Sequence, residues 1–193
     1  SKGYKIKHIG EAGGALAVTM VPDQRGLKPE PGQFGVLRFT GSGQSEPHPF
    51  SFSQIGADGT LRVTVKALGD FTYGLKNTLK VDQDVRIQGP FGRFRLVGKG
   101  PEVWVAGGIG ITPFLSWAEA LKPEAGPVDL FYCVRSRNNA PHLVEIEALA
   151  QAKPNLALHV MASCEGARLS AQTVADTVGV GLGQAGVSFC GPV

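Results

Sequence analysis

The sequence has few cysteines and little net charge. Its 193 residues include 3 cysteines, Cys133, Cys164 and Cys190, without a CxxC pair. An odd number of widely spaced cysteines argues against a disulfide framework, a zinc site or an iron–sulfur cluster, so we predict no metal site and a reducing compartment. Charged residues make up 18% of the chain and the net charge is only +3. No block of five Lys or Arg occurs, which argues against nucleic acid as a partner.

Long apolar runs are missing as well. No stretch reaches the ~18 apolar residues that a membrane-spanning helix needs, and no signal peptide is recognisable. The chain begins without Met and ends on "FCGPV", in the pattern of a strand and a turn. We therefore interpret it as a fragment of a longer protein, truncated at the C-terminus. Glycine is abundant instead, with 27 residues, and separates apolar runs without a period, as turns do.

The first half of the chain has the pattern of β-structure. Short, often alternating apolar segments are separated by Gly, Pro and Asp. They are "YKIKHI", "LAVTMVP", "QFGVLRFT", "PFSFSQI", "LRVTVKAL" and "DVRIQGPFG". Six strands at regular spacing predict a barrel or a sandwich. One helix is predicted in this half, over 72–79.

From residue 102 onward, apolar runs alternate with helical patterns. The runs are "EVWVAGG", "VDLFYCVRS", "LALHVMAS" and "GVSFCGP", and the helices are "TPFLSWAEALK", "LVEIEALAQ" and "SAQTVADTV". Continuous apolar strands that alternate with helices predict a parallel α/β sheet. We therefore predict two domains, an antiparallel β-barrel over 1–99 and an α/β parallel-sheet domain over 100–193.

A glycine-rich turn is the strongest local motif. In "VWVAGGIGITPF" (103–114) an apolar strand leads to Gly107, Gly108 and Gly110, and a helix begins near Thr112, where proline suits the first helical position. Glycines allow a ligand to approach the backbone, and the helix N-terminus offers N–H groups and partial positive charge, so the turn is predicted to hold a pyrophosphate. Because the spacing is GGxGxTP and not GxGxxG, a turn that only packs a strand against a helix is the alternative.

Three further strand ends are predicted to lie beside this turn. Parallel strands end at one edge of a sheet, which is where open α/β folds bind ligands. Arg135, Arg137 and Arg168 follow two of these strands and offer guanidinium groups to a phosphate. Three solvated surface arginines are the alternative. Cys133 fits a small buried side chain, and Cys190 leads into Gly-Pro at the last strand end.

Six motifs, in this order, resemble the ferredoxin–NADP reductase-like superfamily. They are "PGQFGVLRF" (31–39), "HPFSFS" (48–53), "VTVKALGDFTYGL" (63–75), "GPFGRF" (89–94), "AGGIGITPF" (106–114) and "CGP" (190–192). The chain is most similar to the dehydrogenase portion of ferric reductases and NADPH oxidases. Much of the superfamily has Arg-x-Tyr-Ser/Thr at the flavin motif, whereas this chain has His-Pro-Phe-Ser at 48–51. The histidine variant indicates the ferric reductase and oxidase branch, and it removes the guanidinium that would clamp the FAD pyrophosphate.

The resemblance implies FAD in the barrel domain, NAD(P)H in the α/β domain, and hydride transfer from one to the other. It implies that Ser51 hydrogen-bonds near flavin N5 and O4, that Phe50 packs on the FAD, and that His48 lies near its phosphates. Ser51 and Cys190 are the implied catalytic residues, and Cys190 borders the nicotinamide. The implied cofactor-binding set is His48, Pro49, Phe50, Ser51, Val65, Lys66, Gly69, Phe71, Thr72, Gly107, Gly108, Ile109, Gly110, Thr112, Pro113, Cys133, Arg135, Ser136, Cys190, Gly191 and Pro192.

The choice between NADPH and NADH is open at this level. "CVRSR" (133–137) and "SCEGAR" (163–168) offer arginines and serines to a 2′-phosphate. No acidic residue directly follows the second strand of the α/β domain to select a free 2′-hydroxyl. These features favour NADPH.

The resemblance also implies an electron acceptor, a haem in a transmembrane domain of the parent chain. The module is then expected on the cytoplasmic side of the membrane, with this fragment itself soluble. A free-standing soluble flavin or ferredoxin reductase is the second hypothesis. A domain that binds FAD without turnover is the third, and Ser51, the glycine turn and "CGP" argue against it. Iron, oxygen, a haem and a methionine-sulfoxide-reductase partner are all compatible acceptors.

Overall fold

The computed structural model describes residues 1–41, 46–66, 78–96, 100–179 and 182–192. Its contacts divide the chain into two units, Ser1–Arg95 and Leu96–Val193. The helix predicted over 72–79 lies outside the described residues except for its last two positions.

The first unit is a closed barrel of six antiparallel strands. The strands are β1 (Lys2–Glu11), β2 (Ala15–Pro22), β3 (Phe34–Phe39), β4 (His48–Ile55), β5 (Leu61–Lys66) and β6 (Asp84–Phe91). They pair in the order β1-β2-β5-β4-β3-β6, and the last pairs with the first. Closure leaves no free strand edge in the barrel.

Alternation along the strands fills the barrel interior. In β1, Tyr4 and Ile6 are fully buried, whereas Lys5 between them is exposed and pairs with Asp84 at 2.6 Å. The Tyr4 hydroxyl accepts a hydrogen bond from the backbone N–H of Leu27, at 2.7 Å. Burying a side chain of this size stabilises the fold by about 1.5–3 kcal/mol. The core is completed by Val18, Met20, Leu37, Phe39, Phe52, Leu61, Val63, Val65, Val85 and Ile87.

A bulge interrupts β4 at Ser53. Phe52 pairs with Val63 but Gln54 pairs with Arg62, so Ser53 is the extra residue. Its fully buried hydroxyl accepts hydrogen bonds from Arg62 Nε at 3.1 Å and from Thr64 Oγ1 at 3.3 Å. Ser53 is therefore held within the sheet.

The second unit is a parallel four-stranded sheet with helices. The strands are β7 (Glu102–Gly107), β8 (Val128–Val134), β9 (Leu156–Ala162) and β10 (Gly186–Cys190), in the order β10-β7-β8-β9. The helices are α1 (Thr112–Ala120), α2 (Leu143–Ala152) and α3 (Ala171–Val178). The predicted fold class, an antiparallel barrel followed by a parallel α/β sheet, is confirmed.

Apolar side chains cover both faces of this sheet. On one face Trp104 of β7 stacks on Phe114 and meets Trp117 edge-on, with ring centroids 5.7 and 5.2 Å apart. The neighbouring position, Val103, points to the opposite face and packs in a cluster with Val174 of α3. The two central strands, β7 and β8, are largely buried on both faces and are mostly apolar at successive positions. The edge strand β10 instead exposes Val187 and Phe189.

Both ends of α3 and the C-terminal end of α1 are held by identifiable contacts. Ser170 accepts a hydrogen bond from the backbone N–H of Thr173 at 3.0 Å and begins α3, and Gly179, with φ of 65°, ends it. Lys153 donates to the carbonyl oxygens of Glu119 and Leu121, at 3.1 and 2.7 Å, and so holds the end of α1. In the described ranges, no helix has the length and apolar character needed to cross a bilayer.

Candidate functional site

The start of β4 carries the first group of predicted site residues. Residues 48–51 pair in antiparallel register with residues 34–37 of β3. Successive side chains of a strand point to opposite faces, so Phe50 and Ser51 face opposite ways. The Phe50 ring packs edge-on against Phe39 of the barrel core, with centroids 6.3 Å apart. Ser51 therefore lies on the outer face of the barrel.

The Ser51 hydroxyl is open to a ligand. The residue is half-buried, and within the described part of the chain its side chain has no hydrogen-bond partner. Its cross-strand neighbour is Phe34, whose ring centroid lies 5.8 Å from that of Phe91, and Phe91 is 38% exposed. A hydroxyl beside an exposed aromatic pair suits a planar aromatic ligand with polar edge atoms.

His48 occupies the first position of the same strand. Its Nε2 lies 3.8 Å from a carboxylate oxygen of Glu46, and its side chain is 32% exposed. An imidazole is charged only when protonated, so it offers a phosphate a weaker and pH-dependent contact than a guanidinium does.

The end of β5 contributes less side-chain chemistry than the sequence suggests. Val65 is 3% exposed and belongs to the barrel core, so only its backbone can face a cofactor. Lys66, the last residue of the strand, is half-buried. The predicted ligands Gly69, Phe71 and Thr72 lie outside the described residues.

In the second unit, the carboxyl edge of the sheet forms a cleft of about 710 Å³. This volume lies within the range of about 300–1,000 Å³ that is typical of small-molecule sites. The ends of all four strands and the segment after β9 line it, with Val105, Gly107, Gly108, Cys133, Val134, Arg135, Met161, Ser163, Ala167, Arg168, Leu169, Phe189 and Pro192. The strand ends that were predicted to converge are therefore brought together.

Glycine is required where the ends of β7 and β10 meet. A Cβ on Gly110 would overlap the carbonyl oxygen of Cys190, and one on Gly191 would lie 2.8 Å from the Cα of Gly107. Real Cβ atoms do not approach other atoms this closely. These glycines thus serve backbone packing within the unit, while Gly107 and Gly108 also face the cleft.

The remaining residues of the glycine turn form local helical structure and a local hydrogen bond. Residues Gly108–Ile111 form a 3₁₀ helix that leads into α1, with proline in its first turn, at Pro113. The Thr112 hydroxyl donates to the carbonyl oxygen of Ile109 at 3.1 Å, and Thr112 is 7% exposed. The Thr112 hydroxyl therefore stabilises the turn, and its proton is already used in a hydrogen bond within the protein.

The three predicted arginines separate into two groups. Arg135 and Arg168 are exposed and line the cleft. Arg137 instead lies 3.4 Å from a carboxylate oxygen of Glu165 and 4.0 Å from one of Glu147. Sequence alone does not reveal this pairing, because Glu165 lies far along the chain.

Both predicted cleft-side thiols are partly shielded. Burial raises the pKa of the Cys133 thiol and of the Cys190 thiol. At neutral pH both therefore remain protonated and act as small, weakly polar side chains, and neither is a thiolate nucleophile. Ser136 is half-buried, and its carbonyl oxygen accepts a hydrogen bond from the backbone N–H of Asn139.

Several apolar residues at the two sites were not predicted. Phe34 lies beside Ser51 on the neighbouring strand, Phe91 lies on the other side of Phe34, and Phe189 and Met161 line the cleft. Phe91 lies in "GPFGRF" and Phe189 immediately precedes "CGP", so the motifs already pointed to these neighbourhoods. Their exposure, 38% for Phe91 and 53% for Phe189, is visible only in the structure.

Both sites fit the cofactors that the sequence implies. The cleft combines backbone of a glycine turn, two exposed arginines that have no ion pair within the described residues, and apolar walls, which is the donor set that an anionic dinucleotide needs. The outer face of the barrel combines the Ser51 hydroxyl with exposed aromatic surface.

Two family models match the chain and together span residues 4–193. The model described as "FAD-binding domain" matches residues 4–104, and the model described as "Oxidoreductase NAD-binding domain" matches residues 104–193.

Curated relatives include electron-transfer proteins. The chain is 31% identical over 136 residues to methane monooxygenase component C of Methylosinus trichosporium, covering 67% of this chain and 39% of that protein. It is 32% identical over 130 residues to the toluate 1,2-dioxygenase electron transfer component of Pseudomonas putida, covering 65% and 38%. The chain thus spans about two fifths of the length of these relatives.

Solved structures share the fold. A flavohemoglobin from Malassezia yamatoensis with bound FAD and haem matches with a TM-score of 0.84 and 19% identity, over 100% of this chain and 53% of that one. A cytochrome P450 reductase from Amycolatopsis matches with a TM-score of 0.83 and 22% identity, over 99% and 61%.

Proposed function

This chain belongs to the ferredoxin–NADP reductase-like superfamily, with an FAD-binding domain followed by an NAD-binding oxidoreductase domain, and we propose that it passes hydride from NAD(P)H to FAD and then single electrons to a haem or ferric acceptor. As a module it is an FAD-dependent NAD(P)H oxidoreductase. Bound FAD supplies the redox chemistry, and the protein supplies binding and orientation.

The cleft of the second unit carries the proposal. It lies at the carboxyl edge of a parallel sheet, beside a glycine turn and a helix N-terminus, which is the usual place for a dinucleotide. Backbone N–H groups of Gly107 and Gly108 are candidates to bind its pyrophosphate.

On the barrel, we assign the flavin ring to the outer face around Ser51. The Ser51 hydroxyl, which has no hydrogen-bond partner among the described residues, can bond the edge of the ring, and Phe34 and Phe91 offer apolar contact. Ser51 would orient the ring and stabilise the atom that receives hydride. Phe50, whose ring packs on the barrel core, would then act as a support for the strand.

In the second unit, next to Gly107 of the glycine turn, Cys190, Gly191 and Pro192 would border the nicotinamide. The neutral thiol of Cys190 offers a small side chain that does not repel a flat ring. Gly191 allows β10 to end close to the glycine turn. This gives Cys190 a role in shaping the reactive site without nucleophilic chemistry.

The preferred nucleotide in this proposal is NADPH. Arg135 and Arg168 are exposed at the cleft, together with Ser163, and the two cations can meet the dianionic 2′-phosphate. Arg137 is excluded from this role because Glu165 and Glu147 already pair with it.

Two kinds of electron acceptor are compatible with the proposed function. The His-Pro-Phe sequence at 48–50 favours a haem in the membrane domain of a ferric reductase-like parent, with this module on the cytoplasmic side. The name of one relative, the toluate 1,2-dioxygenase electron transfer component, favours a reductase that serves ferredoxin or another separate acceptor equally well. Both acceptors require the same reduction of FAD by NAD(P)H.

The nucleotide assignment is tested by the steady-state kinetics of FAD-loaded protein with ferricyanide as acceptor. Arg135→Gln is expected to raise KM for NADPH about ten-fold, the effect of one lost charge-assisted hydrogen bond, and to leave KM for NADH nearly unchanged. Arg137→Gln is the matched control and is expected to change neither value. Equal effects of Arg135→Gln on both nucleotides would remove the 2′-phosphate from this position.

A further inference from the structure

The segment between β8 and α2 starts at the cleft and ends in strained backbone. It begins with Arg135, which lines the cleft, and ends at His142, which precedes α2. His142 has φ of 57° and ψ of 24°, a left-handed conformation that is unfavourable for a non-glycine residue. Such strain persists only where surrounding structure imposes it.

Buried contacts hold this strained residue in place. The His142 side chain is 3% exposed, and its Nδ1 lies 2.7 Å from a carboxylate oxygen of Glu145. The adjoining carbonyl oxygen of Pro141 accepts a hydrogen bond of 2.7 Å from the buried hydroxyl of Tyr132. Burial raises the pKa of that hydroxyl, which therefore stays a donor at every physiological pH. The end of the segment is thus tied to β8 and to α2.

Backbone hydrogen bonds also hold the part of the segment that lies between this fixed end and the cleft. The N–H groups of Asn139 and Ala140 donate to the carbonyl oxygens of Ser136 and Arg137, each at 3.2 Å. The carbonyl oxygen of Arg135 in turn accepts from the N–H of Cys164, at 3.0 Å. Hydrogen bonds thus restrain the backbone between Arg135 and Ala140, which ends two residues before His142.

We propose that His142 is a positioning residue for the nucleotide phosphate, and that its buried left-handed conformation sets where Arg135 presents its guanidinium group to the cleft. The proposal rests on the proposed function, because it requires that the cleft binds a phosphorylated nucleotide. It adds a residue that never touches the ligand and that no motif identifies.

The test is calorimetric titration of the protein with adenosine 2′,5′-bisphosphate, which needs neither FAD nor turnover. In His142→Ala the ring and its bond to Glu145 are lost, and alanine gains by leaving the left-handed region. We expect Kd to rise about five-fold, which corresponds to about 1 kcal/mol. His142→Asn and His142→Gly tolerate the native backbone conformation and are expected to stay within about two-fold of the wild type.

The outcomes separate the two proposals. A His142→Ala protein that is less thermostable but binds the bisphosphate with unchanged Kd overturns the positioning role, and leaves His142 a structural residue only. A wild-type protein that binds neither adenosine 2′,5′-bisphosphate nor 5′-AMP overturns the nucleotide site itself, and the positioning role with it. If His142→Ala does not fold, Tyr132→Phe replaces it, because it releases Pro141 while keeping residue 142. An unchanged Kd for Tyr132→Phe then contradicts the proposal, and a rise of about three-fold supports it.

Discussion

Two serines of one strand show how the neighbours of a residue decide its use. Ser51 and Ser53 are equivalent in the alternating sequence "FSFS". Ser53 lies at a bulge, where Arg62 and Thr64 donate hydrogen bonds to its hydroxyl. Ser51 has no hydrogen-bond partner among the described residues. Sequence predicts two hydroxyls on one strand, but the bulge that gives them different surroundings depends on pairing with β5.

Ser51→Ala is expected to slow reduction of bound flavin by NADPH about ten-fold or more and to leave NADPH affinity nearly unchanged, because the proposed role of this side chain is on the flavin side alone. Anaerobic stopped-flow measurement of flavin bleaching at several NADPH concentrations checks both quantities. Ser53→Ala is the control, and is expected to lower stability by about 1–3 kcal/mol, through the polar groups it leaves unpaired, with little effect on the reduction rate per bound flavin. An unchanged rate in Ser51→Ala would remove this serine from its assigned role.

The three cysteines differ in exposure, and their chemistry should follow. Cys164 is exposed, whereas burial raises the pKa of the Cys133 and Cys190 thiols. At neutral pH, iodoacetamide is therefore expected to label Cys164 first. Labelling of the other two should accelerate only as pH rises through their raised pKa values, because the thiolate is the reactive form.

Mass spectrometry of labelled peptides across a pH series checks this order. NADP⁺ is further expected to protect Cys133, which lines the cleft, and not Cys164. Labelling of Cys190 at neutral pH as fast as that of Cys164 would show that its thiol is not shielded.

At the scale of elements, glycines allow the backbone at the ends of β7 and β10 to pack in close contact. Gly110→Ala would place a methyl group on the Cys190 carbonyl, so the backbone must shift. We expect a loss of about 2–4 kcal/mol in the free energy of unfolding and a large loss of nucleotide affinity.

Gly183→Ala is the matched control in the same unit, since no atom lies within 4 Å of its added Cβ. It is expected to change stability by no more than about 0.5 kcal/mol. Thermal and urea unfolding of both variants provide the comparison. Equal stability of the two proteins would contradict the close packing of β7 and β10.

Secondary structure was largely predictable, because its periodicity is local. The six alternating segments and the four apolar runs were each found as strands, and the three helices of the second unit follow their predicted patterns. Strand order in the barrel was not predictable in this way. Alternation states which side chains point inward, but not that β2 pairs with β5 and β1 with β6, since those contacts join distant parts of the chain.

At the scale of the whole molecule, the sequence motifs indicate the neighbourhoods of the candidate sites but not which side chains face them. The motifs located the start of β4 and the carboxyl edge of the sheet. They did not show that Val65 points into the barrel core, or that Arg137 is held by Glu165. Both outcomes depend on long-range packing, whereas a motif records only order along the chain.

Hydride transfer from reduced nicotinamide to flavin is the central step of the proposed function. Protein reconstituted with FAD and mixed anaerobically with NADPH should lose the visible absorbance of oxidised flavin, and ferricyanide should restore it. NADH should act more slowly if the arginines of the cleft bind the 2′-phosphate. Protein that demonstrably binds FAD and NADPH, yet keeps its flavin oxidised in the presence of excess NADPH, would contradict the account.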